Sequence, residues 1–178
     1  MASPIRRLLA DFPDLNVAVA PRDPTRFDAV ADLLSREGFS PRRRSRIDEG
    51  TGEIRSRVLL LDSIGELFSL YRFMTLVFVG GSLSRDGGHN VLEPAFFSRP
   101  ALFGPSMENF EEEGALLCQC NGGLRVADAA GWEAALRRWL DQPGEAEAAG
   151  RRAREAVLGR SGAADLIVRG ISEAISGA

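Results

Sequence analysis

Short apolar runs alternate with longer amphipathic segments along the chain, which predicts strands separated by helices. Asp23 before Pro24 is typical of a helix start, and Gly38 of a helix end. The predicted strands cover residues 14–20, 39–46, 57–61, 75–79, 100–103 and 122–126. An amphipathic segment is predicted at residues 4–12 and a turn at residues 48–52. The predicted helices cover residues 24–38, a segment that starts at residue 67, and about 90–98, 109–119, 132–140, 145–158 and 163–175. This order predicts an α/β fold: a Rossmann-like, mostly parallel sheet flanked by helices.

Three loops that follow predicted strands carry residues suited to ligand binding. Pro21 and Arg22 follow the first strand, residues 63–66 follow the third, and residues 80–93 follow the fourth. In parallel α/β sheets, ligands bind outside the carboxyl ends of the strands. If these strands lie close together, the three loops meet at one edge of the sheet, and that edge is the predicted binding site.

The loop at residues 80–93 carries the strongest signal. The pair Gly80 and Gly81 lets the backbone approach a ligand, and N–H groups there and at the following helix start can hold a phosphate. Arg22 is a candidate partner for that phosphate because its guanidinium presents a fork of donors. A carboxylate beside a phosphate would repel it, so we expect Glu93 to accept hydrogen bonds from ribose hydroxyls instead.

Helix capping is an alternative explanation for two of these loops. Asn90 and Glu93 have the spacing of a capping box, and Ser63 and Glu66 fit that motif more closely. Capping does not explain the glycine pairs on either side of residues 82–86. A side chain can also cap a helix and hold a ribose at the same time, so both interpretations stay open.

His89 is the only histidine in the chain. It has no evident partner for general base catalysis, so its expected role is a hydrogen bond within the loop. Backbone groups of residues 64–66 could border a base, so a nucleotide would satisfy all three loops.

Composition narrows the function classes. The chain has 178 residues, 44% of them hydrophobic, and a net charge of -3, which suits one domain over residues 1–178 and does not indicate nucleic-acid binding. Cys118 and Cys120 have no zinc-site spacing, so we expect no metal. The dinucleotide fingerprint is absent after the first strand, and no lysine is available for a P-loop. No apolar run reaches the length of a membrane span.

Five segments of the sequence occur in the same order in one protein family. They are residues 20–27 (APRDPTRF), 62–67 (DSIGEL), 78–83 (FVGGSL), 87–94 (GGHNVLEP) and 104–110 (GPSMENF). With them the chain resembles the C-terminal, donor-binding half of the 3-deoxy-D-manno-octulosonic acid (Kdo) transferases of lipopolysaccharide synthesis. The resemblance covers nearly the whole chain, and the block at residues 80–94 is its most specific part.

The resemblance implies one half of a GT-B glycosyltransferase that uses CMP-Kdo and no cofactor. Such enzymes move Kdo to a lipid A precursor at the cytoplasmic face of the bacterial inner membrane, here by an inverting displacement at the anomeric carbon. Matched by motif, the residues that would contact CMP are Pro21, Arg22, Ile64, Gly65, Glu66, Asn90, Val91, Leu92 and Glu93. Gly80, Gly81, Ser82 and His89 are candidates for contacts with the sugar or phosphate.

In that family the acceptor-binding domain and its catalytic base lie N-terminal to this region. We therefore expect no catalytic residue in this chain, no activity from the chain alone, and contact with the lipid A precursor only through the missing domain. Three alternatives stay open: another GT-B glycosyltransferase, a nucleotide-sugar epimerase domain, and a lone nucleotide-binding module without turnover. Nucleotide preference would distinguish the first two from a CMP-dependent enzyme.

Overall fold

A computed structural model describes residues 2–47 and 56–160. The predicted turn at residues 48–52 and the predicted helix at residues 163–175 lie outside the described residues. The described chain divides into two compact units, the first containing residues 2–47 and 56–67 and the second residues 68–160. Each unit contains one three-stranded sheet.

Strands and helices alternate over most of the described chain. The strands are β1 (Val17–Val19), β2 (Arg42–Arg43), β3 (Val58–Leu60), β4 (Val77–Val79), β5 (Ala101–Phe103) and β6 (Gly123–Arg125). The helices are α1 (Ala2–Asp11), α2 (Phe27–Arg36), α3 (Leu67–Leu70), α4 (Leu92–Phe96), α5 (Glu111–Gln119), α6 (Ala129–Asp141) and α7 (Pro143–Leu158). Short 3₁₀ turns cover Pro24–Arg26, Arg44–Arg46 and Tyr71–Phe73.

Every strand pairing in the described part of the chain is parallel. The strand order is β1-β3-β2 in the first unit and β4-β5-β6 in the second. The predicted α/β class, with parallel strands and flanking helices, is confirmed. The described strands form two sheets where the hydrophobic pattern predicted one, because that pattern locates strands but does not identify their hydrogen-bonded neighbours.

The first unit packs its helices against the apolar strands of its sheet. Its core cluster contains Leu9 of α1, Leu34 of α2, Val58 of β3, and Phe39, which lies between α2 and β2. Valines of β1 pack against this cluster. The predicted helix start is confirmed, since Asp23 accepts a hydrogen bond from the Thr25 N–H at 2.9 Å. A 3₁₀ turn precedes α2 at this start.

The second unit is built on β5, whose three residues are all buried. Phe103 of β5 belongs to a core cluster that also contains Leu117 of α5 and Val157 of α7. Helix α7 approaches the end of α4 closely, and a side chain at Gly150 would overlap the carbonyl oxygen of Ser98. Ser98 has a φ of 58°, a left-handed conformation just beyond α4.

All six predicted strands and several predicted helices are shorter in the structure. The predicted strand at residues 39–46 pairs only at Arg42–Arg43, because the next residues form a 3₁₀ turn. The helix predicted from about residue 90 begins at Leu92. Within the described ranges, no helix combines the length and apolar character needed to cross a membrane.

Candidate functional site

In the second unit, the first glycine pair lies at the carboxyl end of β4. A side chain at Gly80 would meet no atom within 4 Å, so the space beside this residue is open. Gly81 has a φ of 73°, and a β-carbon there would lie 3.3 Å from Nε2 of His89. The chain thus places Gly81 and His89, two predicted contact residues, side by side next to an exposed Gly80.

Ser82 is buried and serves the fold. Its hydroxyl donates to the carbonyl of Val79 and accepts a hydrogen bond from the Gly104 N–H at 2.8 Å. The Ser82 carbonyl in turn accepts from the Ser106 N–H at 2.9 Å. With 0% of the residue exposed, this serine ties the loop after β4 to the segment after β5.

The second glycine pair packs against protein rather than facing open space. Both Gly87 and Gly88 have positive φ values, of 76° and 71°. A side chain at Gly87 would overlap the amide of Asn109, and one at Gly88 would lie 2.5 Å from the Met107 sulfur. The Gly87 N–H also donates to the Ser106 hydroxyl at 3.1 Å. These two glycines are therefore required for close packing inside the loop.

Asn90 organises the start of α4. Its side-chain oxygen accepts a hydrogen bond from the Leu92 N–H at 2.9 Å, and its amide donates to Glu93 Oε1 at 3.2 Å. The N-cap of α4 is Val91, which has no side-chain cap bond, so the predicted capping box does not form. The Asn90 side chain instead binds the Leu92 N–H and holds the Glu93 side chain. Val91 and Leu92 are buried, so a ligand would meet only their backbone groups.

Glu93 also influences Tyr71, which is buried in the same unit. Burial, followed by the negative charge of Glu93, raises the pKa of Tyr71 well above its usual range. The tyrosine therefore stays neutral at physiological pH. A half-buried carboxylate next to a helix start is suited to accept hydrogen bonds from hydroxyl groups.

In the first unit, the two predicted loops leave the same edge of the sheet. β1 and β3 are parallel neighbours, with Val19 beside Leu60. Pro21 and Arg22 follow β1, and residues 63–66 follow β3. The expectation was that three loops meet at one edge of a single sheet. Two of them lie at one edge, but the loop after β4 belongs to the sheet of the second unit, so the expectation of one shared sheet is wrong.

The loop at residues 63–66 is held by polar contacts. Ser63 donates its hydroxyl to Glu66 Oε2, and Arg44 binds Oε1 of the same carboxylate. Gly65 has a φ of 84°, which favours glycine. Ile64 is 63% exposed, so this loop presents a large apolar side chain to solvent.

A buried carboxylate next to this loop was not predicted from the sequence. Asp62 accepts hydrogen bonds from Arg43 Nε at 2.5 Å and from the Ser45 N–H and hydroxyl at 2.8 and 2.6 Å. Arg43 also binds the exposed Asp28. Burial by itself raises the pKa of Asp62, but the bonds from Ser45 and Arg43 outweigh it and lower that pKa to about 2.

The basic run at residues 42–46 is only partly exposed to solvent. Arg43 and Arg44 are half-buried and form ion pairs with Asp62 and Glu66. The run lies at the carboxyl end of β2, which pairs with β3. This pairing brings the arginines close to the carboxylates that follow β3.

The sequence is similar to those of known Kdo transferases, although no protein-family model matches it. The 3-deoxy-D-manno-octulosonic acid transferase of Haemophilus influenzae is 39% identical over 162 residues, which are 89% of this chain and 37% of that protein. The transferase of the same name from Bordetella pertussis is 35% identical over 115 residues, which are 64% of this chain and 26% of that protein. The chain thus spans well under half the length of these curated relatives.

The fold is also similar to that of a solved structure. The crystal structure of the C-terminal CMP-Kdo binding domain of WaaA from Acinetobacter baumannii matches with a TM-score of 0.77 and 31% sequence identity. The match covers 89% of this chain and 81% of that chain. Sequence and fold therefore agree with the resemblance seen in the motifs. The chain belongs to the family of 3-deoxy-D-manno-octulosonic acid transferases and is similar to their C-terminal domain.

Proposed function

We propose that this chain binds CMP-Kdo and forms the donor-binding part of an enzyme that transfers Kdo to a lipid A precursor. The observation that carries the proposal is the similarity, over most of both chains, to a domain described as binding CMP-Kdo. The names of the curated relatives support the transferase activity. Both described units belong to one donor-binding domain in this proposal. The transferase as a whole works at the cytoplasmic face of the inner membrane.

In this proposal, the residues identified by motif contact the nucleotide. They are Pro21, Arg22, Ile64, Gly65 and Glu66 in the first unit, and Asn90, Val91, Leu92 and Glu93 in the second. The side chains of Val91 and Leu92 are buried, so these two residues contribute backbone groups. Glu93, held by the Asn90 amide, accepts hydrogen bonds from the ribose hydroxyls.

Gly80, Gly81 and His89 contact the sugar or the phosphate. The open space at Gly80 suits a ligand that approaches the backbone closely. Ser82 supports this site by holding the loop in place, because its buried hydroxyl already has a donor and an acceptor within the protein.

The reaction is an inverting displacement in which an acceptor hydroxyl attacks the anomeric carbon of Kdo and CMP leaves. N–H groups of the glycine loop and the Arg22 guanidinium stabilise the phosphate charge of the departing CMP. The general base that accepts the hydroxyl proton lies in a part of the relatives that this chain does not cover. This chain therefore supplies leaving-group stabilisation and donor orientation.

Titration calorimetry with CMP, UMP and GMP tests the proposal. We expect CMP to bind with the highest affinity. Binding of UMP or GMP in preference to CMP would instead indicate a different nucleotide-sugar enzyme, and no binding of any of the three would contradict a nucleotide site.

Gly80→Ala gives a sharper test of the loop. The added methyl group meets no protein atom, so the variant should fold normally, but the methyl would stand where the ligand approaches. We expect CMP affinity to fall about tenfold with an unchanged unfolding midpoint. Unchanged CMP affinity would place the ligand away from Gly80.

A further inference from the structure

Arg44 lies between two residues that are anchored to one buried carboxylate. Asp62 accepts a hydrogen bond from the Arg43 side chain and two from Ser45. Since Arg43 and Ser45 flank Arg44 in the sequence, the backbone of Arg44 is held on both sides. The Asp62 side chain is 0% exposed, so water does not compete for these bonds.

From this position Arg44 reaches the loop at residues 63–66. Its Nε lies 3.0 Å and its Nη2 2.8 Å from Glu66 Oε1. The other carboxylate oxygen accepts from the Ser63 hydroxyl. Both oxygens of Glu66 are thus engaged by protein groups, and the turn that contains Gly65 is secured by a residue outside it.

We propose that Arg44 is a positioning residue for base recognition: by holding Glu66, it keeps the backbone of Ile64 and Gly65 in the conformation that selects cytosine. The inference rests on the proposed function, in which residues 64–66 border the base of CMP. Cytosine presents an amino donor where uracil presents a carbonyl acceptor, so fixed backbone groups can distinguish the two. A loop that is free to shift would lose that distinction before it lost all affinity.

The same contacts could serve only to stabilise the fold. The exposure of the two side chains helps to distinguish that role from loop positioning. The side chains of Arg44 and Glu66 are 35% and 38% exposed. Ion pairs at this exposure add little to stability, so breaking this one should leave the unit folded. A loss of base preference in a folded protein would therefore report on loop positioning.

The test is titration of CMP and of UMP into four proteins: wild type, Arg44→Gln, Glu66→Gln and Arg36→Gln. Arg36→Gln is the matched control, because Arg36 is an exposed residue of α2 in the same unit and its substitution removes the same charge. We expect Arg44→Gln to weaken CMP binding about fivefold with little change for UMP. The ratio of the two affinities should fall likewise in Glu66→Gln and stay at the wild-type value in Arg36→Gln.

An equal loss of CMP and UMP affinity would overturn the inference, since Arg44 would then only attract the phosphate. No loss of either affinity would also overturn it, since Arg44 would then have no role in binding. Wild-type protein that binds no nucleotide would refute the proposed function and the inference together. Amide hydrogen exchange separates the two: it should accelerate at residues 64–66 in Arg44→Gln but not in Arg36→Gln. Unchanged exchange at these amides would overturn the positioning role even if CMP binds. If Arg44→Gln does not fold, Glu66→Gln provides both readouts.

Discussion

Replacing Asp62 with asparagine should remove a pH-dependent part of the stability of the first unit. The carboxyl has a pKa of about 2 in the fold, lowered from 3.8. A pKa that is lowered on folding stabilises the protein above the unfolded pKa, and this contribution is lost as the pH falls through the folded pKa. The difference of nearly two pKa units corresponds to about 2 kcal/mol, which is present above about pH 4 and disappears toward pH 2.

The assay is unfolding by urea at several pH values between 6 and 2. Amide hydrogen exchange of β3 is the probe that monitors unfolding of the first unit. Fluorescence would not serve, because Trp132 and Trp139 both lie in the second unit. We expect Asp62→Asn to be about 2 kcal/mol less stable than wild type at pH 6, and the gap to narrow as the pH approaches 2.

Asp28→Asn is the matched control, since Asp28 also binds Arg43 but its side chain is 86% exposed. It should change stability by less than about 1 kcal/mol at every pH. Parallel pH profiles for wild type and Asp62→Asn would refute the reasoning, because they would show that the Asp62 charge does not contribute to folding.

Three further predictions concern the second unit. Ser82→Ala should lower the free energy of unfolding by about 1–3 kcal/mol, measured by urea denaturation, because the Gly104 N–H loses its acceptor; the exposed Ser84→Ala should have little effect. Gly104→Ala should lower the free energy of unfolding by about 3 kcal/mol, since its methyl carbon would lie 2.7 Å from the Leu83 backbone nitrogen. Thermal melting checks this, and a wild-type melting temperature would refute the packing described for this loop. Glu93→Ala should weaken CMP binding about tenfold in calorimetry while stability changes little, because the Asn90 side chain still accepts a hydrogen bond from the Leu92 N–H; a loss of about 1 kcal/mol in stability with intact CMP binding would favour a purely structural role for Glu93 at the helix start.

Local sequence signals predicted most of the helices and strands. Asp23 followed by Pro24 marked a helix start, and Gly38 marked the end of α2 with a φ of 80°. These signals succeeded because caps and left-handed glycines depend on a few adjacent residues. The strand prediction at residues 39–46 was too long, because Asp62, distant in the sequence, draws Ser45 into a turn.

Sequence reasoning located the candidate loops but not their supports. Gly80, Gly81 and Glu93 were identified from local pattern and charge. Ser82 was predicted as a possible ligand contact, and only the structure shows that its hydroxyl joins two segments of the fold. A buried serine and an exposed one look alike in a sequence, since burial depends on what packs against them.

The sequence by itself determined the parallel α/β class, the loops after β1, β3 and β4, and, through the ordered motifs, the family. These features depend on short stretches whose periodicity and residue types carry the signal. Only the tertiary structure decided the neighbours: β2 beside β3, Asp62 between Arg43 and Ser45, and Arg44 on Glu66. Such contacts join residues far apart in the chain. Their strength comes from burial and hydrogen-bond geometry, which no local pattern of residues specifies.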